Sequence, residues 1–479
     1  MKIIDKIKCA CTLLLLSTMN TSCEDWLSVS PSSEIKYEDL FSNRNGFKDQ
    51  LTGVYTNICS EALYGANLTY GMVDALGQNY FWELELGKYY YLSRFEYKNN
   101  TSVNVIKEVW DNAYNTIANV NILLQGINEN RGILSAQEEQ IFEGEAYALR
   151  AFLHFDVLRL FGKSHVSGKS DKAIPYVNTI SKTVTPLSTV DEVLDLAIAD
   201  LKKAESLLKL DPIYTGEETT PFLGTRSYHL NYYGVKALLA RIYLYKGDKV
   251  NALASAKEVI EADKYPWVLR ENITTTTAES RDRIMSTEAI FTLNNTKLLD
   301  LTGKFLKEGL SDDQGHLLVS KPEVLEDIYE ANRYGGFDWR YVYLFDKQKG
   351  TYQGSTKLWQ FPTMPDKYKN RQPLIRISEL YLIAAECETN TVEAVRYLNT
   401  LREHRGFEAD QNLEDSISEE TLNNEITKEY RKEFFGEGQW FFYCKRMDLD
   451  GIPGMNQAFS KGYYVLPIPD VELEYGNRN

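Results

Sequence analysis

The stretch FEGEAYALRAFLHFDVLRLF, from Phe142 to Phe161, decides the fold of this chain. Its apolar residues recur at helical spacing on two faces, with Phe142, Ala146, Leu149, Leu153 and Leu160 on one and Ile141, Ala148, Phe152 and Phe155 on the other. A helix that is apolar on two sides lies in the centre of a protein. The charges between the two faces must then be paired, and Asp156 and Arg159 have the i, i+3 spacing that allows it.

The composition describes a globular chain with a large core. Of its 479 residues, 43% are hydrophobic and 25% are charged, and no low-complexity linker divides the sequence. We therefore predict one elongated body. The formal net charge of −15 makes nucleic acid an unfavourable partner, because both surfaces would be negative.

The N-terminus predicts export and a lipid anchor. Lysines precede the apolar run from Cys9 to Leu16, which is long enough for a signal peptide and too short to span a bilayer. Small residues then lead into Cys23, as at a bacterial lipoprotein cleavage site, although Asn20 stands where leucine is usual. We predict acylation of Cys23. The alternatives are ordinary signal cleavage, which would leave Cys23 a structural thiol, and an uncleaved anchor.

Two segments have the pattern of tetratricopeptide-type helix pairs. In the first, Tyr232 to Lys246 is followed by Gly247 and then by a second helical stretch, Ala252 to Ala262. Small alanines on the facing sides allow close helix packing. In the second, Ile377 to Glu388 precedes Val392 to Arg405. A mainly α, helical-repeat architecture is therefore predicted.

The remaining segments predict long loops and small β elements. NYFWELELGKYYYLSRF, Asn79 to Phe95, is the densest aromatic stretch and has neither strand nor helix periodicity, so an irregular loop is expected. EAIFTL, Glu288 to Leu293, is strand-like. The stretches Trp339 to Phe345 and Thr356 to Phe361 alternate as in a β-hairpin.

Four runs in the C-terminal third resemble the SusD/RagB family of nutrient-uptake lipoproteins in order and spacing. They are IRISELYLIAAEC from Ile375, LNTLREHRG from Leu398, EYRKEFFGEGQWFFYCKR from Glu429 and YYVLPIPDVE from Tyr463. CEDWLSVSP at Cys23 resembles the segment that follows cleavage in the family, and ALRAFLHFDVLRLFG resembles its hallmark helix. The resemblance covers nearly the whole chain.

The resemblance implies a SusD-like fold of tetratricopeptide-type pairs with long loops, and a lipoprotein on the surface of the outer membrane. It also implies a SusC-like TonB-dependent transporter as partner and a nutrient, most often a glycan, as ligand. The expected organisation is a signal peptide over residues 1–22, a lipidated tether over 23–35, an N-terminal region over 36–225 and a C-terminal region over 226–479 of one body. Neither a cofactor nor a metal is implied.

For ligand capture we predict Asn79, Trp82, Tyr89 and Tyr90, with Asn295 as a second wall. Sugar rings offer C–H faces for stacking and hydroxyls for hydrogen bonds to amides. The competing interpretation is that the same residues pack the core. The charges of the run from Glu429 to Arg446 are interpreted as structural, tying a helix end to its neighbours.

Enzyme classes find little support in the sequence. GKSHVSGKS, Gly162 to Ser170, has one residue too many between its glycines for a phosphate-binding loop and follows a helix, so nucleotide binding is rejected. The five histidines form no metal motif, and there is no nucleophile elbow. We predict a non-catalytic binding protein. The alternatives are a member of the family that binds peptide or another nutrient, a surface glycoside hydrolase, and a scaffold without small ligand.

Overall fold

The computed structural model describes residues 37–82, 85, 87–307, 317–334, 336–347, 352–455 and 457–476. The predicted signal segment and the lipidation site Cys23 lie outside these residues. Helices predominate in the described part, and the strands are short. The predicted mainly α fold class is confirmed. No helix in the described ranges has the length and apolar character needed to cross a membrane.

The first half of the chain is built mainly from long helices. Its elements are α1 (Tyr37–Leu40), α2 (Arg44–Ile58), α3 (Met72–Leu76), α4 (Tyr90–Ser93), α5 (Asn100–Glu129), α6 (Ala136–Phe161), α7 (His165–Gly168), β1 (Lys172–Pro175), β2 (Leu187–Thr189), α8 (Val190–Leu207), α9 (Pro212–Thr215), α10 (Tyr232–Lys246) and α11 (Lys249–Glu261).

The second half alternates short strands with helices. Its elements are α12 (Arg270–Thr274), β3 (Ala289–Asn294), α13 (Leu298–Phe305), β4 (Val319–Ser320), α14 (Pro322–Ile328), α15 (Ala331–Tyr334), α16 (Trp339–Tyr343), β5 (Phe345–Asp346), β6 (Gln353–Ser355), β7 (Arg371–Arg376), α17 (Ile377–Cys387), α18 (Thr391–Glu403), α19 (Glu419–Glu433), α20 (Trp440–Arg446) and α21 (Asp470–Tyr475).

Helix α6 is the buried centre of the fold, as its sequence predicts. A capping box of Ser135 and Glu138 starts it, and every residue from Ala148 to Phe161 is buried. The charges inside it are paired: Asp156 binds Arg159 within the helix, and the fully buried Glu145 binds Arg226 at 2.7 Å. Pairing makes these buried charges tolerable.

Both predicted helix pairs are present. Helices α10 and α11 pack against each other across Gly247, which adopts the left-handed conformation that a tight helix end requires, with φ 85°. Helix α17 packs against α18 and also against α11, so the two pairs are joined. The tetratricopeptide-type architecture is confirmed.

The β prediction is right for one segment and wrong for another. Strand β3, which overlaps the predicted EAIFTL strand, pairs antiparallel with β7. The predicted hairpin is wrong, because Trp339–Tyr343 forms helix α16 and the chain from Thr356 to Phe361 is not a strand. Instead β5 pairs with β6, and β6 pairs with β4 to form a three-stranded sheet. Asp338 caps α16 by accepting the backbone N–H of Arg340, and this local bond favours a helix over strand alternation.

The buried His154 of α6 makes stability depend on pH. Its Nε2 accepts the Val177 backbone N–H at 2.9 Å, so Nδ1 carries the proton and donates to the Arg150 carbonyl at 2.8 Å. Burial, with the nearby charge of Arg150, lowers the pKa of His154 to about 3. The native state therefore holds the neutral ring, whereas the unfolded chain takes up a proton near pH 6.5.

We expect this contribution to be fully present above about pH 6.5 and to be lost as the pH falls from there towards 3. His154→Gln, which has no titrating ring, should therefore show a shallower fall of unfolding free energy over this range, by up to about 1.4 kcal/mol per pH unit. Urea unfolding of both proteins at pH 7, 5.5 and 4 measures the difference. If the unfolding free energies of the two proteins fall equally as the pH falls, His154 does not control the loss of stability in acid.

Candidate functional site

The segment from Asn79 to Phe81 lies along the β4 edge of the three-stranded sheet. The Phe81 backbone N–H donates to the Val319 carbonyl of β4 at 2.8 Å, in an antiparallel bridge. The Ser320 hydroxyl donates to the Asn79 carbonyl. Backbone pairing thus fixes the start of the aromatic stretch Asn79 to Phe95 beside β4, although this stretch has no strand periodicity of its own.

Aromatic rings from two distant segments meet at this sheet edge, beside a lysine from a third segment. Phe81 stacks on Tyr352, which precedes β6, with ring centroids 5.2 Å apart and planes 20° from parallel. The Lys321 ammonium lies 4.2 Å from the Phe81 centroid. All three side chains are partly exposed. Stacked rings with accessible area are the usual platform for the apolar faces of polar ligands.

Two further aromatic rings, Trp359 and Phe361, belong to the segment that follows β6. The Trp359 Nε1–H donates to the Leu306 carbonyl at 3.0 Å, and the neighbouring Phe305 carbonyl accepts the Leu318 N–H. The two rings lie edge to face at 6.4 Å and are partly exposed. These bonds hold the rings next to β4. We call Phe81, Tyr352, Trp359 and Phe361, together with Trp82, which follows Phe81 in the chain, the aromatic surface.

Trp82 is included in this surface because it directly follows Phe81 in the chain, and it is one of the predicted ligand residues. Its ring is partly exposed and lies edge to face with Tyr90 at 6.4 Å. Its Nε1–H is enclosed and has no hydrogen-bond acceptor among the residues that the structure describes. Unsatisfied buried donors are rare in folded proteins, so this N–H marks a place where water or a ligand hydroxyl would bind.

The other predicted ligand residues lie beneath the surface or apart from it. Asn79 and Asn295 are fully buried, Tyr89 is 1% exposed and Tyr90 is 9% exposed. The Tyr89 hydroxyl donates to Asn67 at 2.8 Å, and the Asn295 amide donates to Gln372 at 3.0 Å. In this conformation these side chains support the loop and the β3–β7 region. Their contact with a ligand stays a prediction.

A small cavity of about 20 Å³ has charged residues in its wall that are already paired. Lys357 and Arg376 in its wall both bind Glu437, at 2.6 and 2.7 Å. Burial lowers the pKa of Lys357. Nearby, Asp74 accepts the backbone N–H groups of Gly436 and Gly438, and its burial raises its pKa to about 7. Asp74 thus connects α3 to the turn after α19, and its role is structural.

Sequence reasoning missed four of the five residues of the aromatic surface. Phe81 stands next to the predicted Trp82, but Tyr352, Trp359 and Phe361 are more than 250 residues away in the chain. A signal was present, since Trp359 and Phe361 belong to the stretch that was interpreted as a hairpin strand. Two large aromatics in a segment without helix periodicity could have been considered as ligand contacts.

Family models match both halves of the chain. A model described as "Starch-binding associating with outer membrane" matches residues 25–244, and the model of the SusD family matches residues 352–468. The first match contains α6 and the second contains the run EYRKEFFGEGQWFFYCKR. The chain belongs to the SusD family.

Relatives agree with this membership over the whole SusD-like fold. SusD-like protein P2 of Formosa agariphila is 23% identical over 522 residues, and the alignment covers 96% of each chain. A SusD superfamily protein from Bacteroides thetaiotaomicron superposes with a TM-score of 0.69 at 21% identity, over 90% of this chain and 98% of its own. Surface glycan-binding protein A from Bacteroides uniformis gives 0.67 at 19%, over 90% and 97%.

A laminarin-binding SusD-like protein superposes with a TM-score of 0.65 at 17% identity, over 90% of this chain and 97% of its own. At such identities the structural likeness establishes the SusD fold and leaves the ligand to be argued from this chain's own residues.

Proposed function

We propose that this SusD-family protein is a non-catalytic, lipid-anchored protein on the surface of the outer membrane. It binds a glycan and delivers it to a SusC-like TonB-dependent transporter. The observation that carries the proposal is the aromatic surface, where the partly exposed rings of Phe81 and Tyr352 lie beside a lysine ammonium, and where the Trp82 indole N–H has no acceptor among the described residues. These groups match the C–H faces and the hydroxyls of a sugar.

Two structural neighbours support a saccharide ligand. One is named for binding surface glycan and the other for binding laminarin, and both share this fold across about nine tenths of the chain. A peptide ligand is the alternative within the same family, because backbone amides and side chains could also use the rings. A binding screen of glycans and peptides distinguishes the two.

We propose that no catalysis accompanies binding. A glycosidase needs two carboxyl groups facing the scissile bond. Two carboxylates of this region, Asp74 and Glu437, are engaged in structural contacts, since Asp74 accepts two backbone N–H groups and Glu437 binds Lys357 and Arg376. Glycan cleavage by the purified protein would establish the hydrolase alternative, and binding without turnover would remove it.

Removing a ring from the aromatic surface is expected to weaken glycan binding about five- to thirtyfold. Phe81→Ala, Trp82→Ala and Trp359→Ala each delete a stacking face, and the loss of one such contact is on the order of 1–2 kcal/mol. Isothermal titration with the best glycan of the screen measures it. Tyr475→Ala is the matched control, because that ring is 78% exposed on α21, outside the aromatic surface.

Unchanged affinity in Phe81→Ala and Trp359→Ala would discard the aromatic surface as the binding site. Unchanged affinity in Trp82→Ala alone would remove Trp82 and leave the other rings. A scaffold without small ligand would instead co-purify with a barrel partner and bind nothing in the screen. Association that requires the nutrient supports delivery to the transporter.

A further inference from the structure

Two arginines beside the aromatic surface have no carboxylate partner among the residues that the structure describes. Arg283 is 5% exposed and donates to the Ala278 carbonyl at 2.6 Å. Arg281 is partly exposed and donates to the carbonyls of Thr275 and Tyr343. The Nε–H of each arginine is enclosed and lacks an acceptor within the described ranges. Both guanidinium groups are therefore held by neutral groups only.

Buried arginines without a carboxylate partner are few in the described part of the chain. Within the described residues, ten arginines are buried and eight of them form salt bridges with a carboxylate. The two without one are Arg283 and Arg431. Arg283 differs from Arg431 because a second arginine repels it: burial and the charge of Arg281 lower the pKa of Arg283 to about 10. It stays charged at neutral pH, and a buried charge without counter-ion is costly.

The carboxylates nearest in sequence do not fill this role. Asp282 lies between the two arginines, but it is 1% exposed and its oxygens accept the N–H groups of Ile284 and Ser286 and the Ser286 hydroxyl. Glu279 is close enough to raise the pKa of Arg283 slightly against the two lowering effects. It forms no salt bridge with either arginine in the described part of the chain.

The arginine pair adjoins the aromatic surface at Phe361. The Arg283 guanidinium lies 5.1 Å from the Phe361 ring centroid, and the Lys307 ammonium lies 4.3 Å from the same centroid. Lys307 also lies 5.4 Å from the centroid of Trp359. A sugar that rests on these rings would carry its substituents within reach of the cations.

We propose that Arg281 and Arg283 form an anion subsite that selects glycans with acidic sugars, through the carboxylate of a uronic acid or a sulfate ester. This inference rests on the proposed glycan-binding function and narrows its ligand. The planar fork of a guanidinium matches both oxyanions, and the low exposure of Arg283 strengthens the charge-assisted hydrogen bonds.

The overall net charge of −15 does not remove this preference. Exposed charges further apart than about 8 Å are largely screened at physiological ionic strength, so the nearest cations dominate the field at the subsite. We therefore expect binding of acidic glycans to weaken as salt rises and binding of neutral glycans to stay nearly constant.

Affinity gel electrophoresis tests the subsite with two sets of polymers. The acidic set is polygalacturonate, alginate and chondroitin sulfate, and the neutral set is galactan, laminarin and starch. We expect at least one acidic polymer to bind about tenfold more tightly than any neutral one. Arg281→Gln/Arg283→Gln should lose that tenfold and keep its neutral binding. Arg270→Gln is the matched control, because it removes an exposed charge on α12 in the same segment.

The possible outcomes test the anion subsite separately from the proposed glycan binding. Retardation by neutral polymers alone, or an acidic preference that survives in the double variant, would overturn the anion subsite and leave glycan binding intact. Retardation by no polymer would overturn both. Arginine-dependent binding of sodium sulfate without binding of any acidic polymer would overturn the assignment to sugars. Thermal denaturation of each variant, with retained neutral binding, shows that the fold is unchanged.

Discussion

Replacing Glu433 by glutamine is expected to lower the unfolding free energy by about 3–5 kcal/mol, because it leaves buried arginines without their shared counter-ion. Glu433 is fully buried at the end of α19 and binds Arg340 at 3.0 Å, Arg405 at 2.7 and 2.9 Å, and Arg376. Burial alone would raise the pKa of Glu433, but Arg405 and Arg376 hold it well below its usual value.

These contacts join distant parts of the second half. Arg405 follows α18, Arg376 ends β7 and Arg340 lies in α16, so one carboxylate connects three elements. Glutamine has nearly the same volume, and a large loss would therefore come from the missing charge and not from a cavity. Asp338 and Glu288 remain as further partners of Arg340 and Arg405, which sets the upper limit of the effect.

Chemical denaturation of Glu433→Gln and the wild-type protein measures this loss. Glu393→Gln is the matched control, because Glu393 forms an exposed i, i+3 pair with Arg396 on α18. Exposed pairs of this kind contribute about 0–1 kcal/mol. A loss at Glu433 no larger than the loss at Glu393 would contradict the importance of the network.

Replacing Cys23 by serine is expected to move essentially all of the protein from the membrane fraction to the soluble fraction. Serine has no thiol to which the lipid can be attached, and each buried methylene of an acyl chain contributes about 0.8 kcal/mol to membrane binding. Several chains on one residue thus hold the protein permanently. Labelling with radioactive palmitate, followed by fractionation of the cells, measures both effects.

Cys59→Ser is the control for this experiment, because Cys59 is a free thiol of the folded body. It should keep both the label and the membrane fraction. A wild-type protein that takes up no palmitate, or a Cys23→Ser variant that stays with the membrane, would contradict the anchor. The predicted domain boundaries before residue 36 would then need revision.

The charged run from Glu429 to Arg446 shows what a sequence pattern can and cannot predict. The pattern predicts a structural role, and the salt bridges of Glu433, Glu437 and Arg446 confirm it. It does not predict the partners, since Arg340, Arg376 and Glu386 come from other elements. Nor does it predict that Arg431 binds a backbone carbonyl, that of Pro453, in place of a carboxylate.

The sequence by itself determined the elements whose signal is local. Helical periodicity found α10 and α17 to within one residue of their ends, because hydrogen bonding within a helix depends on residues three or four apart. It found the end of α6 but placed its start six residues late, at Phe142 in place of Ala136. The order and spacing of the motifs identified the family. Only the tertiary structure decided the aromatic surface and the arginine subsite. Phe81 and Tyr352 meet only because Phe81 pairs with β4 and β4 with β6, and Arg283 reaches Phe361 only in the folded chain. Contacts between residues so far apart in the chain leave no periodic trace in it.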